Sequence, residues 1–256
     1  MGDSLKTPRR RWPRFSLRSF LLAVTVLVLA MGWKFNRVWN QRLVVAEVQR
    51  LNGWSAYDDW RLRRNSRSSL SYTAPGPEWL RSILGQDIFS DVVYISLYDP
   101  RVTDDTLALI ARLPHLHELI IESDNVTDAG VAHLARLSQL ESLAIHSKKL
   151  TDTGLANLTG LKSLKALWYW GPISGSGLLG VAKLPRLRVL SLEPMNGVAD
   201  HGFAHLADAP VLAELFLVGQ ATDADFEQLA AVKKRRSLRL SVTHITKEPA
   251  NALSHA

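Results

Sequence analysis

Val126-Thr127-Asp128-Ala129-Gly130-Val131 and Leu150-Thr151-Asp152-Thr153-Gly154-Leu155 are two copies of one phrase, 24 residues apart. Each is followed by leucines three apart: Leu134, Leu137 and Leu140 after the first, Leu158, Leu161 and Leu164 after the second. Further copies start at Val102, Ile173, Val198 and Ala221, so the steps along the chain are 24, 24, 23, 25 and 23 residues. A fixed period in this range means a solenoid, because one such unit cannot bury its apolar face alone and stacking the units makes the core.

Within Leu119-Ile120-Ile121 successive side chains of a strand point to opposite faces, so Leu119 and Ile121 turn inward and Ile120 outward. Leucines spaced by three suit one face of a short helix or 3₁₀ segment packed behind that strand. These are the offsets of leucine-rich repeats, and they predict an α/β fold: a curved parallel sheet backed by short helices, six repeats over 102–246. Thr127-Asp128 stand where side-chain oxygens cap a helix, and the same logic assigns Asp104-Asp105 to a helix start. Gly130 fits either a close approach between turns or a positive φ. Residues 77–101 read as the N-terminal cap, since Val92, Ile95 and Leu97 align with Leu116, Leu119 and Ile121. The fourth copy, Ile173-Ser174-Gly175-Ser176-Gly177-Leu178, lacks the Asp, and the last puts Arg235 in a leucine slot. The run Lys233-Lys234-Arg235-Arg236 reads as a polar terminal cap and 247–256 as a tail.

The charge is divided. Residues 1–70 carry 14 Lys+Arg against 4 Asp+Glu, whereas 71–256 carry 17 against 20. The repeats are therefore slightly acidic, which excludes a basic nucleic-acid-binding stripe on them. No cysteine occurs in the 256 residues, so disulfides, thiolate metal sites and a cysteine nucleophile are excluded.

Residues 1–18 form a basic tail, and 19–35 read as a transmembrane helix. The uncharged core, 19–33, covers about 22 Å of helix, which Leu17 and Phe35 lengthen toward a ~30 Å hydrocarbon layer. Trp12, Trp33 and Trp39 stand at the levels of interfacial aromatic belts. The alternatives are a buried core helix, which the flanking arginines disfavour, and a signal peptide cleaved after Val28-Leu29-Ala30. Lys6, Arg9, Arg10, Arg11, Arg14 and Arg18 precede the span, and Lys34, Arg37, Arg42 and Arg50 follow it. The excess predicts a single-pass protein with a cytoplasmic N-terminus and repeats outside the cytoplasm; repeats facing the cytoplasm are the alternative. Residues 36–76 read as a juxtamembrane stalk and linker, with a short strand in Trp54–Trp60 and a solvated arginine-rich loop at Arg61, Arg63, Arg64 and Arg67.

The Thr-Asp-x-Gly-Leu phrase resembles the cysteine-containing subclass of leucine-rich repeats found in F-box proteins, although its signature position falls at Asp124 and Lys148. No F-box stands upstream, so the resemblance implies no ubiquitin-ligase role. The layout from Phe15-Ser16-Leu17-Arg18 through the apolar span to Gly76-Pro77-Glu78-Trp79-Leu80 and the repeats resembles membrane-anchored bacterial leucine-rich-repeat proteins. That likeness implies location and fold rather than a mechanism.

Outward strand positions should form three columns on the concave face: Ser96, Ile120, Ala144, Trp168, Ser191, Phe216 and Arg239 in the middle; Tyr98, Glu122, His146, Trp170, Glu193, Val218 and Ser241 on one side; Tyr94, Glu118, Ser142, Ala166, Val189, Glu214 and Ser237 on the other. Trp168, Trp170, Phe216 and Ile120, ringed by Glu122, Glu193 and Glu214, have the composition of a protein-binding patch. The alternative is that Trp168 or Trp170 turns inward or is covered by a loop. The acidic rim suits a basic or neutral partner.

No motif for catalysis stands out. His201 and His205 are four apart, but His205 shares its repeat slot with His133 and Asn157, a surface position, and His115 and His117 fall on a turn. Gly171–Gly177 lacks the Gly-Lys-Ser/Thr ending of a phosphate loop. The sequence therefore predicts a non-enzymatic binding protein with no cofactor, no metal, no small-molecule substrate and no nucleic acid. Its partners are a protein, at the concave face, and the lipid bilayer, through 19–35. Alternatives are an envelope-organising protein that binds glycan or cell-wall material, and a cytoplasm-facing docking scaffold.

Overall fold

A computed structural model describes residues 17–57, 77–199, 202–218, 223–235 and 239–243. The tail 1–16, the arginines between 61 and 67, the repeat start Ala221 and the tail 247–256 lie outside the described residues. The chain divides into two units, Met1–Trp39 and Asn40–Ala256.

The first unit holds the apolar part of one helix, Leu17–Arg50. Among the described residues it is the one helix long and apolar enough to cross a membrane. Phe20, Leu21, Val26, Leu29 and Trp33, spread round the helix, are all exposed. A helix apolar on every side requires a partner or a solvent other than water. Within its apolar stretch, Thr25 Oγ1 donates to the Leu21 carbonyl at 2.9 Å and so needs no outside acceptor.

The second unit is a leucine-rich-repeat solenoid. Among the described residues eight strands form one sheet in chain order: β1 Trp54–Tyr57, β2 Val92–Leu97, β3 Glu118–Glu122, β4 Ser142–His146, β5 Ala166–Ser174, β6 Val189–Ala199, β7 Glu214–Val218 and β8 Arg239–Thr243. β1 is antiparallel to β2, and every later pair is parallel. Leu119, Leu143, Leu167, Leu190 and Leu215 line up in register and are completely buried, against helix-side residues such as Leu134 and Leu137.

Two corrections concern the ends. Part of the stretch read as a stalk belongs to the solenoid: Val44 and Val48, on one face of the long helix, and Leu51, just past its end, are buried in the repeat core. Gln41, also buried, donates from Nε2 to the Ser90 carbonyl at 2.9 Å. The cap is thus built by 40–57 as well as by the strand β2, because the first turn has an apolar end that water would otherwise wet. Burying each of those three side chains contributes about 2 kcal/mol. At the other end the register is shifted by two residues. A helix over Asp223–Arg235 takes up Arg235, so Arg239 pairs with Glu214 and Ser241 with Phe216.

The turns are tied by two ladders that the sequence only half reveals. Thr127, Thr151 and Ser174 cap their helices as expected, each accepting from the backbone N–H two residues on. The aspartates do something else. Asp104 accepts from Thr127 N (2.8 Å) and Thr127 Oγ1 (2.6 Å) of the next turn, and Asp128 likewise from Thr151 at 2.9 and 2.5 Å. Asp152 accepts in the same way from Ser174 and also from Ser176 Oγ at 2.7 Å. Asp104 is therefore a staple between turns rather than a cap. The repeat glycine serves this staple: a Cβ at Gly130, Gly154 or Gly177 would overlap the carboxylate of Asp104, Asp128 or Asp152. None of the three has a positive φ, so close approach is the reason for glycine. Where Gly175 replaces the Asp, the strands lengthen instead, with Ile173 pairing Val198 and Ser174 pairing Ala199.

The second ladder sits one residue before the expected signature position. Buried Ser123 and Ser147 donate from Oγ to the Val102 and Val126 carbonyls, both one turn back, at 2.8 and 2.7 Å. Asp124 and Lys148 are instead exposed and joined by a 2.9 Å ion pair. The chain has no cysteine, so the cysteine-containing subclass is the wrong assignment.

Candidate protein-binding face

The helices cover one side of the sheet, and the other side carries the residues that alternate with the core. In β5, Leu167 and Tyr169 are buried, while Trp168 and Trp170, which alternate with them, are half-buried on the open side. Neither tryptophan turns inward. Tyr169 takes that place, its hydroxyl donating to the Pro172 carbonyl at 2.5 Å. Burial, and next the Asp152 and Asp128 carboxylates, push its pKa up, so it stays neutral.

Cross-strand register brings the expected patch together in part. Ile120, Ala144, Trp168, Ser191 and Phe216 occupy one row on successive strands. Ile120 and Phe216 are half-buried like the tryptophans. A parallel row holds Glu122, His146, Trp170 and Glu193. Glu122 and Glu193 are exposed. His146 Nδ1 lies 3.5 Å from Glu122 Oε1, and its ring centroid is 6.4 Å from that of Trp170. Glu214 stands on the opposite row and pairs with Arg239 at 3.6 Å. The acidic rim is therefore open at Glu193 and countered at Glu214.

One aromatic residue on this face was not expected there. Because β1 runs antiparallel to β2 with Trp54 opposite Ser96, Trp54 extends the central row at its N-terminal end. It is exposed and meets Tyr94 edge-on at a centroid distance of 5.1 Å. Alternation over Trp54–Tyr57 signals a strand, but nothing in the sequence fixes its partner or direction.

The other candidates are dispersed. His201 lies outside the described residues, and His205 belongs to a 3₁₀ segment, Gly202–Asp208. His115 and His117 each contact Gln139, at 3.3 and 3.1 Å. Among the described residues no three His, Cys, Asp or Glu gather closely enough to hold a metal ion.

No protein-family model and no curated protein sequence matches the chain. Among solved structures it is similar to an internalin from Listeria monocytogenes, with 23% identity over 55% of this chain and 38% of that one and a TM-score of 0.37. It is similar also to a plant peptide hormone receptor, RGFR1, in complex with RGF2 (16% identity, 57% of this chain and 28% of that one, TM-score 0.30). A pollen receptor kinase 3 aligns at 15% identity over 63% of this chain and 78% of that one, with a TM-score of 0.32. The chain spans well under half the length of the first two. The leucine-rich-repeat assignment rests on its own strand register and inter-turn ladders.

Proposed function

We propose that this is a single-pass, membrane-anchored leucine-rich-repeat protein that recognises a protein partner through the open face of its sheet, with the repeats outside the cytoplasm. The observation that carries the reading is the placement of Trp168 and Trp170 on the side of the sheet away from the described helices. A strand exposed on one face normally presents polar side chains there. Two indoles beside Ile120 and Phe216, with Glu122, Glu193 and Glu214 around them, have the make-up of a binding patch: aromatic anchors within a polar rim. The helix Leu17–Arg50 supports the anchor, and the six basic residues before the span against four after it support the orientation.

The test is affinity capture with the full chain in detergent, beside a Trp168→Ala/Trp170→Ala variant. A discrete protein retained by the wild type should be lost by the variant, since truncating a central interface tryptophan typically costs about 2 kcal/mol or more, roughly 30-fold. Retention on cell-wall glycan, unaffected by the substitutions, would overturn the reading in favour of an envelope-organising role.

A further inference from the structure

We propose that the open face takes a basic polypeptide segment in the polyproline II conformation, laid across the strands. This rests on the reading of that face as a protein-binding surface. The central row alternates in size from strand to strand. Trp54, Ile120, Trp168 and Phe216 stand on β1, β3, β5 and β7. Between them Ser96, Ala144 and Ser191 stand on β2, β4 and β6, and these small residues are only 6%, 7% and 9% exposed. The face is thus a series of apolar ridges separated by notches whose floors lie low between them.

The spacing of the ridges selects the ligand. Neighbouring strands are ~4.8 Å apart, so ridges recur every ~9.6 Å. Polyproline II has three residues per turn at a rise of ~3.1 Å, a repeat of ~9.3 Å. Over the three steps from Trp54 to Phe216 the mismatch accumulates to only ~1 Å. Two turns of α-helix advance ~10.8 Å and drift by ~4 Å over the same distance. A β-strand repeats its side-chain direction every ~6.7 Å and is out of step at the first ridge. Only the polyproline II form delivers one side chain to each successive notch. Its backbone carbonyls are all free to accept, and indole N–H groups on the ridges are suited to meet them.

Charge sets the second requirement. The described outward positions of the sheet hold Glu118, Glu122, Glu193 and Glu214 against one guanidinium, Arg239, and the imidazole of His146. Glu122 and Glu193 flank the row of ridges on one side, with Trp170 in register beside Glu193. Lysine or arginine side chains leaving the edges of the ligand would meet carboxylate and indole together, a pairing favourable both electrostatically and as a cation–π contact.

The test uses the full chain in detergent micelles and a fluorescein-labelled (Pro-Pro-Arg)4 peptide, read by anisotropy. Two controls carry the same charge: a flexible Gly-Ser-Arg repeat and an alanine-based helical peptide. The polyproline II peptide should bind at least about tenfold more tightly than either, the free-energy scale of one or two good contacts. Ala144→Phe and Ser191→Phe, each filling one notch, should weaken it about tenfold, and Ser138→Phe on an exposed turn should leave it unchanged; circular dichroism of each variant confirms folding. Equal binding of the flexible control, or full binding to both notch-filled variants, would overturn the proposal. If the peptide fails while Trp168→Ala/Trp170→Ala still abolishes capture of a protein, the polyproline II inference falls and the binding face stands. If neither depends on the face, both fall.

Discussion

Gly154→Ala should destabilise the solenoid, although alanine is the better helix former, and Asp128→Ala should suppress most of that effect. Gly154 lies in the helix Asp152–Asn157, where the exchange favours alanine by up to ~1 kcal/mol on propensity alone. Against that, the new Cβ would overlap Asp128 Oδ1, with Asp128 Cγ at 3.2 Å and Leu150 Cδ2 at 3.3 Å next in line. The carboxylate must move, and it then loses its bonds from Thr151 N and Thr151 Oγ1. Hydrogen bonds to a charged group contribute roughly 1.5–3 kcal/mol each; Thr151 is exposed and water replaces part of this, so the pair is worth about 2–3 kcal/mol. The net expectation for Gly154→Ala is a loss of about 1–2 kcal/mol, and for Asp128→Ala about 2–3 kcal/mol. With the carboxylate gone the methyl fits, and the double variant should lose only about 1–2 kcal/mol, a coupling of about 2 kcal/mol. Urea unfolding of the full chain in detergent, followed by tryptophan fluorescence at constant m, measures all three. Additivity within ~0.5 kcal/mol, or a Gly154→Ala variant as stable as the wild type, would refute the account of the glycine as clearance for the aspartate.

Three further outcomes are expected. Ser147→Ala strands the buried Val126 carbonyl and should cost about 1–3 kcal/mol in the same titration, whereas Ser138→Ala on an exposed turn should cost nothing measurable. Burial alone would push the Asp152 carboxyl up, but hydrogen bonds from Ser174, Ser176 and Gly177 outweigh it and hold the pKa below the ordinary 3.8. Its contribution to stability is therefore complete above that pH and lost as pH falls beneath it, so the stability difference between wild type and Asp152→Asn should shrink on acidification below 3.8. Finally, Ser138→Cys in this cysteine-free chain should react with a membrane-impermeant maleimide while the inner membrane is intact; reaction only after lysis would place the repeats in the cytoplasm. Ser147→Cys should stay unreactive until unfolding, because that position is fully buried although it lies on a loop.

What the sequence disclosed follows from how each feature repeats. The leucines recur at every turn, so the core, the strand alternation and the inward and outward assignment of Trp168 to Trp170 are readable from one chain. Non-repeating features were not. The segment 40–51 serves as a cap only because the first turn has an open end, and its stripe of Val44, Val48 and Leu51 has the same spacing as on a free amphipathic helix. The two-residue shift of β8 arises from one lengthened helix, and no local residue marks it. The aspartate ladder repeats, yet its meaning was hidden. An acidic residue in a first helical turn satisfies the capping rule equally well, and only the contact across turns shows that its carboxylate belongs to the next repeat.

The alternation of large and small residues along the central row is not something the solenoid requires. Side chains there do not enter the core, so a leucine-rich repeat of 23–25 residues leaves them unconstrained. Crowding does not require it either. The neighbouring row places Glu122, His146, Trp170 and Glu193, four large residues, on four adjacent strands in full register. If strands ~4.8 Å apart tolerate that sequence, they do not force a serine or alanine at every second position beside it. Nor does the repeat itself generate the pattern, because its period is one strand and the alternation has a period of two. A pattern imposed neither by the core, nor by sheet spacing, nor by the repeat is what the proposed ligand accounts for, and Trp54, contributed by an antiparallel strand from outside the repeats, falls in step with it.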